Sequence, residues 1–229
     1  MENNMKVTWL THAGLLFEND RIKVLVDPYL SSANIDGQRR IPVDESFFDI
    51  EPDMILITHS HPYHLDKETL DKFLTRDGKE ITVLAGGAAY TKLRSFGYEH
   101  NIVLLTPHTV WSEGGVTFYS VKAEHSERDA VGFILDDGDK TYYVSGDTLY
   151  NFDVIDDVLD LVESGVDYAF LPINGVGNNM NAKDAADFAY EIGAHFAVPL
   201  HYGLFDNIDP AGFDFDDAVV LTPYEEREI

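Results

Sequence analysis

The chain has 229 residues, 45% of them apolar, enough for one domain with a large core. It contains no cysteine, so disulfides and thiolate metal sites are excluded, and any metal must be held by imidazole and carboxylate. Sixteen basic against 41 acidic residues leave a formal charge of −25, which repels a phosphate backbone and argues against a nucleic-acid partner.

The chain opens Met1-Glu2-Asn3-Asn4-Met5-Lys6, without the basic and then apolar stretch of a signal peptide. No apolar run approaches the ~20 residues needed to span a bilayer. The expectation is a cytoplasmic protein with no membrane partner. Short β-branched and apolar runs then predict strands at Val7–Leu10, Ile22–Val26, Met54–Thr58, Ile81–Leu84 and Ile102–Leu105. Weaker helical patterns at Lys67–Leu74 and Ala88–Phe96 interrupt them. A central all-β block follows, with Val116–Lys122, Val131–Leu135 and Tyr142–Ser145. Asp153–Ser164 carries one apolar stripe and predicts a helix packed on a sheet. Tyr168–Ile173 and Phe196–His201 read as strands around a helix at Ala182–Ile192, for which Asn181 is a candidate N-cap. The turn-rich tail ends in a strand-like Ala218–Leu221. Strands alternating with helices predict sheets covered by helices, α/β or α+β, in one domain spanning 1–229.

The densest chemistry follows the strand Met54–Thr58, in His59-Ser60-His61-Pro62-Tyr63-His64-Leu65-Asp66. Residues two apart in extended chain point to the same side, so His59 and His61 can converge on one ion. Pro62 lets the chain turn and bring His64 back from another direction, and Asp66 is placed to cap the next helix. Three further polar clusters end apolar strands: Glu124-His125-Ser126, Gly146-Asp147-Thr148 and His201-Tyr202-Gly203. Ligands gather beyond the carboxyl ends of strands in such folds. Imidazole with carboxylate suits zinc, manganese or iron. Taken singly, His125 reads equally as a surface histidine, Asp147 as a turn residue and His201 as a core histidine.

These residues resemble the metallo-β-lactamase superfamily, whose first motif is H-x-H-x-D-H, followed by a lone His, a bridging Asp and a last His. The segments Thr8–Gly14, Val26–Leu30, Ser145–Thr148, Leu171–Gly175 and Val198–Gly203 point to its ascorbate-6-phosphate lactonase-like and small metal-dependent hydrolase branch. The resemblance implies a four-layer αββα sandwich. It also implies that His59, His61 and His125 hold a first metal, that Asp147 bridges, and that His64 and His201 serve a second. Asp27 would support the motif from behind, and His12 would lie near the substrate. Where the family has its Asp, this chain has Tyr63. Either one metal binds tightly and the second site is weakened, or Tyr63 ligates as phenolate, its pKa pulled down from about 10 by the ion. Asp66 is the third option, besides its helix-cap reading.

The implied reaction is hydrolysis by a metal-bound hydroxide, with zinc or manganese, one or two ions, and iron also compatible. Asp147 and His201 are the candidate catalytic residues with His12. The implied substrate is a small molecule, a lactone or a phosphorylated sugar derivative, with a phosphodiester as an alternative. Arg39-Arg40 would grip an anionic group unless it is an ordinary exposed pair, and Asn174, Asn178 and Asn181 would meet substrate. A homo-oligomer is consistent with the resemblance. Gly175-Val176-Gly177-Asn178-Asn179-Met180 mimics a dinucleotide loop but lacks its third Gly or Ala. There is no G-x-S-x-G elbow and no H-E-x-x-H. The rival from another class is a non-catalytic binding protein that keeps the fold and has lost a metal, and an iron–flavin redox variant is a third reading.

Overall fold

The computed structural model describes residues 4–31, 39–162 and 164–229. Among these described residues thirteen strands and four α-helices run in chain order. The first half holds β1 Lys6–Trp9, β2 Leu15–Glu18, β3 Lys23–Val26, β4 Met54–Ile57, α1 Lys67–Leu74, β5 Thr82–Ala85, α2 Gly87–Phe96 and β6 Asn101–Leu104. There follow β7 Val110–Glu113, β8 Val116–Lys122, β9 Val131–Asp136, β10 Thr141–Val144, α3 Phe152–Leu161, β11 Tyr168–Pro172, α4 Ala182–Glu191, β12 Phe196–Leu200 and β13 Glu226–Glu228. Two compact units result, 1–105 with 221–229, and 106–220.

The first unit is built on a seven-stranded sheet of order β13-β1-β2-β3-β4-β5-β6. Its first three pairings, β13/β1, β1/β2 and β2/β3, are antiparallel, and those from β3 to β6 are parallel. Parallel neighbours need crossovers, and α1 supplies the one from β4 to β5 and α2 the one from β5 to β6. Every residue of β4 and β5 is buried, as near-continuous apolar runs require in a parallel sheet. On one face Ile55 and Ile57 of β4 and Val83 and Ala85 of β5 join Leu70, Phe73 and Leu74 of α1 and Ala89 and Leu93 of α2 in one apolar cluster. Each such Leu or Ile contributes about 1.5–3 kcal/mol by leaving water. Asp66 starts α1, its carboxylate accepting from Thr69 N at 3.1 Å, and Gly97, with φ 77°, ends α2 in the left-handed conformation that glycine adopts freely.

The second unit carries a six-stranded sheet of order β12-β11-β10-β9-β8-β7. From β7 to β10 the pairing is antiparallel, and from β10 to β12 it is parallel, with α3 and α4 as crossovers. Helix α3 buries Val154, Ile155 and Val158, and its buried Asp157 accepts from Lys122 N at 2.8 Å, tying the helix to the end of β8. A Cβ at Gly132 of β9 would meet Val144 O at 2.8 Å and Ser145 O at 2.9 Å, so this close approach to the end of β10 admits only glycine.

Sequence and structure differ at the margins. Strands β2, β7 and β13 are not among the predicted ones, and β13, Glu-Arg-Glu with every residue exposed, has no apolar signal at all. Ala218–Leu221 is no strand: Ala218 makes a single bridge to Ala197. Helix α3 stops at Leu161, short of the predicted Ser164, a stretch that also includes residue 163, outside the described residues.

Candidate metal centre

In the first unit the strand directions put the motif on one edge of the sheet. Strand β1 runs with β3 and β4, because two antiparallel steps separate it from β3. The segments that carry His12, Asp27 and His59 therefore all leave carboxyl ends on that edge. After His59 the chain turns back: His64 N donates to His61 O at 3.0 Å and Leu65 N to the same oxygen at 2.9 Å. Lys92 of α2 holds the turn by donating to Ser60 O at 3.2 Å. The ring centroids of His59 and His61 lie 4.6 Å apart and those of His59 and His64 4.0 Å apart. His59 brings a ring nitrogen within 4.8 Å of one on each of the other two.

A buried relay fixes two of these rings. Asp27 Oδ1 accepts from Thr58 N at 2.8 Å, and Oδ2 lies 2.6 Å from Thr58 Oγ1 and 2.7 Å from His64 Nδ1. The carboxylate can only accept, so Thr58 gives it its one hydroxyl proton and His64 carries its proton on Nδ1. Thr58 Oγ1 then must accept from His59 Nδ1, 3.0 Å away. Both imidazoles are therefore held in the tautomer that turns an Nε2 lone pair to a ligand, as second-layer carboxylates do for metal-bound histidines. Asp66 has another role. Its Oδ2 accepts from the N–H and hydroxyl of Thr69, and Thr69 Oγ1 accepts from Leu30 N at 2.8 Å, so Asp66 braces α1.

Tyr63, which takes the place of the motif's acid, packs edge-on between Tyr29 at 5.2 Å and His12 at 5.1 Å. The His12 ring lies 6.3 Å from that of His64. Burial pushes the Tyr29 phenol up from its ordinary value. Arg39 closes the stack, 5.0 Å from the Tyr29 ring centre. Its guanidinium donates to Tyr29 O at 3.1 Å, Ser31 O at 3.4 Å, Ile41 O at 3.3 Å, Thr11 Oγ1 at 3.0 Å and Tyr224 Oη at 3.3 Å. Those contacts use its five N–H groups. Arg39 is thus a tie between the β1 turn, the segment after β3 and the C-terminal stretch. Arg40 is exposed.

In the second unit β8, β10, β11 and β12 run in one direction, so His125, Asp147 and His201 emerge from the same edge. Glu124 N donates to Thr148 Oγ1 and Leu149 N to Glu124 O, both at 2.9 Å, which stitches the His125 and Asp147 segments together. His201 Nε2 lies 3.3 Å from Asp147 Oδ1, both side chains 8% exposed. Burial pushes the neighbouring Tyr202 phenol up to about 12, so it stays neutral. His125 Nδ1 lies 3.4 Å from the Asn178 carbonyl. The donor set, imidazoles backed by acceptors and a buried carboxylate without thiolate, fits a divalent ion.

Of the asparagines expected to meet substrate, Asn181 is a helix cap, accepting from Lys183 N at 2.9 Å and Asp184 N at 3.0 Å. Asn178 is exposed and offers its main-chain carbonyl to His125, and Asn174 pairs with Asn181 across the loop. Left-handed backbone occurs at candidate residues of each unit: His12 (φ 53°) and Asp27 (φ 40°) in the first, Asn178 (φ 66°) and His201 (φ 63°) in the second, among seven such non-glycine residues described. Each costs about 1–3 kcal/mol, strain that persists where function requires it. Thr58 was missed by sequence reading, because it reads as the β-branched end of an apolar strand.

The profile of the beta-lactamase superfamily domain matches residues 6–201. A UPF0173 metal-dependent hydrolase of Pyrococcus abyssi is 31% identical over 98% of this chain and all of its own length. The chain therefore belongs to the beta-lactamase superfamily. Two solved structures share its fold. One is the metallo hydrolase Igni18 of Ignicoccus hospitalis, 21% identical over 98% of both chains, with a TM-score of 0.76. The other is an isothiocyanate hydrolase from Delia radicum gut bacteria, 18% identical over 98% of this chain and 99% of that one, with a TM-score of 0.79. The α/β sandwich of the metallo-β-lactamase fold, expected from the motifs, is the fold of these neighbours, and two mixed sheets with four helices are its elements here.

Proposed function

We propose that the chain is a metal-dependent hydrolase in which His59, His61 and His125 hold a tight metal, Asp147 bridges, and His64 and His201 serve a second ion. The observation that carries this reading is the relay from Asp27, which fixes the tautomers of His59 and His64 for ligation. The family, and the metal-dependent hydrolase of Pyrococcus abyssi to which the chain is similar, support the reaction class. A single profile running through both units supports one domain over 1–229. The ion is zinc or manganese, with iron compatible, and supplies a lowered water pKa and polarisation of the electrophile. Asp147 takes the proton of the attacking water at a carboxylate oxygen, and His201 keeps that carboxylate oriented. His12 and Arg40 face the substrate, a small molecule of the lactone or phosphorylated-sugar kind suggested by the lactonase-like branch. The protein acts in the cytoplasm and forms a homo-oligomer in this reading.

Metal content by plasma mass spectrometry, on protein purified without chelator, tests it. One or two equivalents per chain are expected. No bound metal after dialysis against zinc, manganese and iron in turn would overturn the hydrolase reading in favour of a binding protein.

A further inference from the structure

The strand at the edge of a sheet carries a row of N–H and C=O groups outside the ladder, and proteins blunt such edges with charge or with cover. Among the described residues three of the four sheet edges are blunted. In the first sheet β13 is Glu226-Arg227-Glu228. In the second, β7 ends in Glu113, and β12 is covered by the segment beyond it, Ala197 N donating to Asp217 O at 3.3 Å and Val219 N to Ala197 O at 2.8 Å. The fourth edge, β6, has neither protection. Asn101-Ile102-Val103-Leu104 and the Leu105 that follows carry no charge in a chain of net charge −25. Leu104 is 44% exposed. The inner side of β6 pairs in parallel with β5, and Leu105 N donates to Ala85 O at 2.7 Å. By the two-residue period of a strand, Val103 also turns its main chain to β5, while Ile102 and Leu104 turn theirs outward. No described residue bonds to those outward groups.

We infer that β6 is a self-association edge, on which a second copy of this chain pairs antiparallel with Val103 opposite Val103 across a two-fold axis. In that register Ile102 of each copy exchanges both main-chain bonds with Leu104 of the other, so all four outward N–H groups find carbonyls. A slip of two residues either way hands part of the ladder to residues outside β6. The side chains agree with the register, Val103 meeting Val103 on one face and Ile102 meeting Leu104 on the other. Charge favours a second copy at this edge over any other surface for the contact. Two chains of −25 repel each other, and they approach most easily where no carboxylates face one another. The inference gives the homo-oligomer of the reading above a surface, and it depends on neither the metal nor the reaction.

Sedimentation velocity of the full chain, from micromolar to millimolar concentration, tests it with Leu104→Pro and Leu104→Ala beside the parent. The parent should show a monomer–dimer equilibrium that tightens with added salt, because salt screens the repulsion between acidic chains. An ion-paired interface would respond in the opposite sense. Proline removes an N–H that the chain's own ladder does not use, and an open edge tolerates it. Leu104→Pro deletes two of the four bonds and should weaken the dimer by about ten- to a hundredfold. Leu104→Ala keeps all four and should weaken it less, and circular dichroism checks that both variants fold. Amide exchange in the parent, followed by ¹⁵N NMR, needs no variant: Ile102 and Leu104 should exchange more slowly as the chain is concentrated. A monomer at every concentration and salt level overturns the inference and leaves the edge to a strand of another protein. So does a dimer that Leu104→Pro leaves as tight as the parent, or one in which both amides exchange as fast as in the dilute chain.

Discussion

His64 Nδ1 lies 2.7 Å from Asp27 Oδ2, with both side chains 1% exposed. Asp27 sits at the end of β3 with φ 40°, and its own N–H donates to Leu56 O at 2.9 Å, so the carboxylate has little room to turn. An acceptor held there decides which nitrogen of His64 is protonated, and through Thr58 it decides the same for His59.

Asp27→Asn is therefore expected to weaken metal binding by about 10–100-fold, the usual cost of losing a supporting carboxylate. An amide keeps the shape but must point an N–H at Thr58 N, or at Thr58 Oγ1 and His64 Nδ1, whichever way it turns. Competition against a fluorescent chelator measures the effect. Thr58→Val should show a smaller loss, since it cuts the branch to His59 and leaves His64 on Asp27. Unchanged affinity in both variants would make the relay idle.

Tyr63→Phe should leave the tight metal in place. The Tyr63 ring is held by its edges against Tyr29 and His12, contacts that a phenylalanine keeps. Metal counting before and after the change decides it. If half the bound metal disappears with the hydroxyl, Tyr63 is a ligand of a second ion after all.

The two adjacent arginines should separate cleanly. Arg39→Ala removes five hydrogen bonds and the stack on Tyr29, and should cost about 2 kcal/mol or more of stability, charged donors being worth about 1.5–3 kcal/mol. Arg40→Ala, on the surface, should stay within about 1 kcal/mol of the parent. Urea unfolding of the pair reads both values. Equal, small losses would remove Arg39 from the frame.

Much of this was legible in the sequence because of local density. Three histidines within six residues after an apolar strand, and polar clusters at the ends of three more, announce themselves without a fold. What the sequence hides is the partner at a distance. Thr58 bonds to Asp27 across 31 positions, and nothing local separates it from an ordinary strand residue. Asn178 and Asn179 look interchangeable until one backbone angle at Asn178 leaves the first exposed and the second buried. Strand β13 exists only through its ladder with β1, since Glu-Arg-Glu has neither alternation nor β propensity.

Stability should fall in alkali for a reason that can be traced to single phenols. Burial, and then Asp137, to which its hydroxyl donates at 3.4 Å, push the Tyr142 phenol well above its ordinary range. Burial, and then Asp71, accepting at 2.7 Å, do the same to Tyr98. In the unfolded chain both titrate near about 10. Below that value neither state loses the proton and their contribution is fully present. Above it the unfolded chain binds fewer protons than the folded one, so stability drops as pH rises towards the folded values, by up to about 1.4 kcal/mol per pH unit for each such group. Urea midpoints at pH 8, 9.5 and 11 should decline across the last interval. Tyr142→Phe should flatten that decline by its own share, because the ring stays stacked on Tyr168 while the titrating group is gone. A midpoint that falls equally in parent and variant would assign the alkaline loss to other groups.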